Sequence, residues 1–105
     1  MEVFLKQPND VLDYDIDLTP WFENIPGDDI ESVDVSVTSI NEPEPTLVVG
    51  PVPHPGYVLL GNTPTAFKVW IGGGTDRREY KVTCVVKTEQ DRTKEVDFKI
   101  KVRNL

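Results

Sequence analysis

Cysteine is nearly missing from this 105-residue sequence: Cys84 stands alone, so no disulfide can form within the chain. Small secreted domains often depend on disulfides, and doing without them fits a protein folded in a reducing cytoplasm. Long apolar runs are also missing. Met1–Asp10 has no basic start followed by an apolar stretch, so it does not read as a signal peptide, and nothing approaches the length of a membrane span. Basic charge is scarce. Eleven Lys and Arg against 18 Asp and Glu leave a net charge of −7. That balance argues against a non-specific nucleic-acid binder and against docking on anionic lipid. It is compatible with simple solubility or with a basic partner.

The chemistry-bearing residues are equally thin. His54 is the only histidine, with no acid or nucleophile beside it in the sequence. By strand period Cys84 lies on an inward face, as a small core residue rather than a reactive thiolate. Without a histidine pair, a cysteine pair or a triad, an enzyme is not expected. The run Gly72-Gly73-Gly74-Thr75 leads into a strand, not a helix, so it reads as a tight connection with positive φ angles rather than a phosphate loop.

What remains is alternation. Helical periodicity is nearly absent, and apolar residues recur at every second position, the period of a half-buried strand. In Lys94–Arg103, Val96, Phe98, Ile100 and Val102 share one face and Asp97, Lys99, Lys101 and Arg103 the other. In Glu79–Thr88 the inward set is Tyr80, Val82, Cys84 and Val86. Glu89–Thr93 joins the two as a hairpin loop. Further strands are expected over Val11–Leu18, Ser32–Ile40, Thr46–Val49, Tyr57–Leu60 and Ala66–Ile71. Prolines 43, 45, 51, 53 and 55 make the middle an edge strand or irregular loop. Trp21 and Phe22, bracketed by Pro20 and Pro26, are expected to plug one end. The fold class is all-β, an immunoglobulin-like β-sandwich of about seven antiparallel strands. The domain spans residues 11–105, behind an N-terminal arm, residues 1–10, that either lies along the domain or inserts into a partner.

Candidate interaction residues follow from this layout. Val3, Phe4 and Leu5 make the arm apolar. Asp13, Asp15 and Asp17 alternate along one strand face, where they are solvated, meet a basic partner or bind a metal ion. Asp28, Asp29 and Glu31 form a second acidic cluster, read as a loop. Trp70 lies opposite Phe67, Val69 and Ile71; it is either open to stack on a sugar or covered by a neighbouring loop. Tyr80, in the spacing Asp76-x-x-x-Tyr80-x-Val82, suits a tyrosine corner, whose hydroxyl bonds backbone a few residues upstream.

Phe4–Asp10 with Leu12–Asp17, then Val69–Asp76, Tyr80–Thr83 and the closing strand Glu95–Arg103, together resemble small virion proteins of tailed bacteriophages described as fibre–tail adaptors. The resemblance covers about two thirds of the chain. Asn41–Gly61 departs from it as a longer, proline-rich middle. It implies a non-enzymatic structural protein that docks a tail fibre or other tail component to the phage tail. Such a protein is made in the bacterial cytoplasm, is present in several copies and needs no cofactor, nucleic acid or membrane. Two other readings stay open: a head decoration or head–tail completion protein, and an immunoglobulin-like adhesin module binding carbohydrate or a host surface.

Overall fold

The alternating C-terminal segments form the longest hairpin of the protein. The computed structural model describes residues 2–105. In chain order it contains β1 (Glu2–Lys6), β2 (Leu12–Asp17), the short helix α1 (Thr19–Phe22), β3 (Ile30–Thr38), β4 (Leu47–Val49), β5 (Tyr57–Leu60), β6 (Ala66–Gly73), β7 (Glu79–Thr88) and β8 (Thr93–Val102). Thr93, expected in the hairpin loop, already belongs to β8, and the turn closes with Asp91 at φ 63°.

The strands form two sheets. The first has the order β1-β8-β7-β3. In the second, β2 pairs one edge of β6, while β4 and β5 share the other, at Ile71–Gly73 and Ala66–Val69. One core lies between the sheets. Phe67, Val69 and Ile71 from the second meet Val82, Cys84, Val86, Ile100 and Val102 from the first, all fully buried. Burying one such side chain contributes about 1.5–3 kcal/mol, so the two alternating faces supply the main drive for closure. Phe22 caps this core, with Trp21 edge-on to it at 4.9 Å and Lys94 Nζ above the Trp21 ring at 5.8 Å.

Three expectations need correction. The described strands number eight, and they are not all antiparallel: β1 runs parallel to β8, from Glu2↔Phe98 to Lys6↔Val102. A parallel pair needs a long crossover, and here nearly the whole chain supplies it. The segment read as an arm thus lies along the domain and contributes β1 to the first sheet; Met1 falls outside the described residues. Leu12 shares the alternating phase of Tyr14, Ile16 and Leu18 within the expected strand Val11–Leu18, yet at the start of this edge strand it is exposed. Of the three glycines, Gly73, at the end of β6, and Gly74 have positive φ (69° and 93°), whereas Gly72, inside β6, does not. A Cβ at Gly72 would sit 3.0 Å from Pro51 Cγ, so its smallness serves close packing.

A second joint holds the α1–β3 loop to the β7–β8 turn. The Asp28 carboxylate is sealed from solvent. It accepts bonds from Asp29 N, Gln90 N and Arg92 NH1 at 2.9, 3.1 and 2.9 Å. Burial pushes this carboxyl up, but the Thr88 side chain, Arg92 and the two backbone N–H groups outweigh it, and the group titrates below the ordinary carboxylate range. Asp28 of the second acidic cluster is therefore a structural tie.

Candidate functional site

Strand period divides β1 into two faces. Val3 and Leu5 point away from the core and remain 51% and 62% exposed. Phe4 turns inward, its ring 4.9 Å from Tyr14 and 5.8 Å from Phe98. Among the described residues β1 pairs only with β8, so its outer edge offers unpaired backbone groups. The strand is anchored at its end. Lys6 is buried, and its Nζ donates to the carbonyls of Gln7, Pro8 and Gly73 at 2.8, 3.3 and 2.5 Å. Burial lowers the Lys6 pKa, with Asp10 opposing the shift. Nothing in the sequence singles out Lys6; only the phase it shares with Phe4 hints that it points inward.

Asp13, Asp15 and Asp17 face outward on β2, as their period requires, but each has a partner within the chain, Asp13 and Asp15 sharing one. Lys68, on the adjacent β6, reaches Asp13 at 2.6 Å and Asp15 at 3.4 Å. Asp17 Oδ1 accepts the backbone N–H of Thr19 at 2.9 Å. The Lys68 hydrogen bond holds Asp13 below the ordinary carboxylate range, and the bonds to Thr19 do the same for Asp17. The described residues contain no group of three or more His, Cys, Asp or Glu placed to hold a metal ion.

Trp70, on the outer face of β6, is half-buried under the proline-rich segment. The His54 ring stacks on it at 3.6 Å with an interplanar angle of 7°. The loop returns to β6 because Gly50 N donates to Trp70 O at 2.9 Å. Gly50 has φ +69°, and a Cβ there would meet Gly56 N at 2.8 Å, so only glycine permits this closure.

Tyr80 lies at the other end of the core, 1% exposed. Its hydroxyl accepts the N–H of Thr75, five residues upstream, at 2.9 Å and donates to Glu42 Oε1 at 2.8 Å. The same Glu42 oxygen accepts from the backbone N–H and the hydroxyl of Thr46, both at 2.9 Å. These bonds, the Thr46 backbone first, hold the Glu42 carboxyl at about 2 against the opposing effect of burial. Glu42 has no sequence signal, because it sits among prolines in a segment without period.

Where the open edges of β1 and β2 face each other, a cleft of about 220 Å³ leads toward the core. Its floor is apolar: Phe4, Tyr14, Ile16, Leu18, Val96 and Phe98. Its other lining residues are all acidic: Glu2, Asp15, Asp17 and Asp97. Among the described residues, two buried side-chain atoms of the lining residues have no hydrogen-bond partner, Tyr14 Oη and Asp97 Oδ1. Burial raises the Tyr14 pKa, helped by Asp10 and Asp13.

Thus Phe4 and Asp15, with Asp17, meet at one cleft; Val3 and Leu5 lie on the opposite face of β1; Trp70 and Tyr80 stand apart. Cys84 is fully buried, and desolvation, then Asp97, pushes its thiol up to about 12, far from reactive thiolate. No helix among the described residues is long and apolar enough to cross a membrane.

None of the curated proteins matches the chain. A family model does, that of the podophage GP4 fiber-tail adaptor protein gp77, over residues 6–101. The match takes in nearly all of the two-sheet core and runs from the anchoring Lys6 to Lys101, one residue short of the end of β8. On that coverage the chain belongs to the podophage GP4 fiber-tail adaptor protein gp77 family, as an all-β structural protein of the phage tail.

Proposed function

We propose that the chain is a non-enzymatic virion component that docks a tail fibre or other tail component to the phage tail through the flank formed by β1 and β2. The observation that carries this reading is β1: an edge strand with Val3 and Leu5 turned to solvent and no strand on its outer side among the described residues. An edge of this kind adds a neighbouring strand through main-chain bonds, with exposed apolar side chains completing the contact. The N-terminal segment, residues 1–10, is the docking element and residues 11–105 the body that carries it.

The body reads as an immunoglobulin-like sandwich. In support are two sheets around one core and the Tyr80 hydroxyl held to backbone five residues upstream, which is the role of a tyrosine corner. The protein works without a cofactor, in several copies per virion, after synthesis in the host cytoplasm, and contacts neither nucleic acid nor membrane. His54 covers one face of Trp70, so a sugar would have to displace it.

The test is particle assembly. Particles carrying Val3→Lys and Leu5→Lys together should lose the fibre while the purified variant keeps its unfolding transition. A particle reconstruction that shows β1 facing solvent on both edges would sink this reading.

A further inference from the structure

The cleft between β1 and β2 combines three features that together describe an occupant. Its floor is apolar and belongs to the inner faces of both sheets, so a side chain seated there extends the core. The polar part of its lining is uniformly negative, in Glu2, Asp15, Asp17 and Asp97, with no basic residue among the lining groups. Two of these are already engaged by lysines outside the cleft, Asp15 with Lys68 at 3.4 Å and Asp97 Oδ2 with Lys81 at 3.5 Å, and Asp17 caps Thr19. Even so, among the described residues Asp97 Oδ1 is buried without a donor, and Tyr14 Oη without a partner. Leaving a buried polar group unmatched is costly, and native proteins usually match such groups.

We propose that this cleft seats an extended, basic segment of a partner protein, one apolar side chain inserted against Phe4, Ile16 and Phe98 and lysine or arginine lying along the acidic rim. A peptide main chain and a basic side chain supply what the walls lack. A carbonyl accepts from the Tyr14 hydroxyl, and an N–H or a cationic group donates to Asp97 Oδ1. Two neighbouring sheet edges give the segment backbone to pair with. An acidic or purely apolar occupant would leave the rim uncompensated, and a second copy of this chain, with net charge −7, would bring mainly like charge to it. The proposal rests on the adaptor reading and names the chemistry of the partner on that flank.

The test uses the full chain and fluorescein-labelled peptides with one Val-Leu-Val centre, flanked on each side by two lysines, two glutamates or two serines. Fluorescence anisotropy should show the lysine peptide binding at least about tenfold tighter than the serine peptide, and the glutamate peptide not at all. The lysine peptide should weaken as salt rises from about 50 to about 500 mM, since screening acts on the exposed rim. Asp97→Asn with Glu2→Gln should weaken it at least about fivefold while the unfolding midpoint stays near that of the parent chain. Ile16→Trp, which fills the cleft, should abolish it. Equal binding of the lysine and glutamate peptides, binding of none, indifference to both variants, or sedimentation showing the cleft closed by a second copy would each overturn the proposal. The adaptor reading has its own readout. If mass spectrometry finds the chain in purified tails and the peptides do not bind, only the cleft proposal fails. If the chain is absent from the particle, the adaptor reading fails whatever the peptides do.

Discussion

The β7–β8 hairpin and the β1–β2 flank use the same alternating pattern to opposite ends. In the hairpin, the inward residues Val82, Cys84, Val86, Phe98, Ile100 and Val102 are buried, and Val96, at the cleft, is partly so. The outward charges pair across the strands, Lys101 with Glu79 at 3.4 Å and Lys81 with Asp97 at 3.5 Å. On the flank, apolar side chains remain at the surface, and among the described residues the outer edges of β1 and β2 are open and Tyr14 Oη is buried without a partner. Asp97 belongs to both regions: its Oδ2 meets Lys81 and its Oδ1 has no partner among the described residues. The hairpin has matched nearly all of its groups within the chain, and the flank has left more of its own open. The flank is thus not a weaker version of the hairpin. It is where this fold stops short of closing on itself, and a second protein can complete it.

The sharpest way to break that contrast is to truncate one side chain in each region. Ile100→Ala should cost about 2–5 kcal/mol, because it removes a fully buried side chain from the middle of the core and leaves a cavity. Leu5→Ala should stay within about 0.5 kcal/mol, because Leu5 is already in water. Urea unfolding of both variants measures the two costs. Comparable losses would mean that Leu5 is structural, and the flank would lose its claim to be a docking surface.

Next in size is the Tyr80 network, which tests whether the end of the core is as fully matched as the hairpin. Tyr80→Phe should cost about 1–3 kcal/mol, since it leaves the Thr75 N–H without its acceptor and removes one of the three donors to Glu42 Oε1. The same network gives a pH signature. Glu42 titrates at about 2 in the folded protein and in the ordinary range, near 4.5, when unfolded. Its folded pKa is depressed, so its contribution is fully present above about 4.5 and is lost as pH falls toward 2. Asp13, Asp17 and Asp28 are also depressed and push in the same direction. Glu42→Gln should therefore flatten, but not remove, the fall in urea midpoint between pH 4.5 and 2. An unchanged slope would mean that Glu42 is not held as described.

How much of this was legible depended on what carries each element. Hydrophobic period carried the hairpin, the inward face of β6 and the seat of Cys84, and a two-residue period translates directly into a face. Phe22 as a plug was readable from its bracketing prolines. β1 was not readable as a strand, because Val3-Phe4-Leu5 is continuously apolar and shows no alternation until a parallel neighbour sorts its two faces. The solitary roles were invisible for another reason. Lys6, Asp28 and Glu42 work through partners 67, 64 and 38 positions away, and a charged residue in a loop looks the same whether solvated or sealed. The three aspartates of β2 were correctly placed on one face. Their partner Lys68 lies on the outward face of another strand, and only the antiparallel register Asp15↔Lys68 brings it across. The cleft lay beyond sequence, since it arises from the meeting of two strand edges from different sheets.

The smallest expected effect concerns the proline-rich loop of residues 50–56, between β4 and β5. Both flanking strands pair with β6, and the loop is laid over Trp70 by one ring contact and one closure: His54 stacked on Trp70 at 3.6 Å, and Gly50 N bonded to Trp70 O. An aromatic pair of this kind contributes about 0.5–1.5 kcal/mol beyond its buried area. His54→Ala should therefore lower stability by no more than about 1.5 kcal/mol, yet open one face of Trp70 to water. In a Trp21→Phe background, where Trp70 is the only indole, acrylamide quenching of fluorescence should rise clearly on His54→Ala while the urea midpoint barely moves. Gly50→Ala should produce the same quenching by another route, because its positive φ and the closeness of Gly56 N forbid a side chain there. If neither variant changes quenching, the 50–56 loop is not held over Trp70, and the ring is open to a partner.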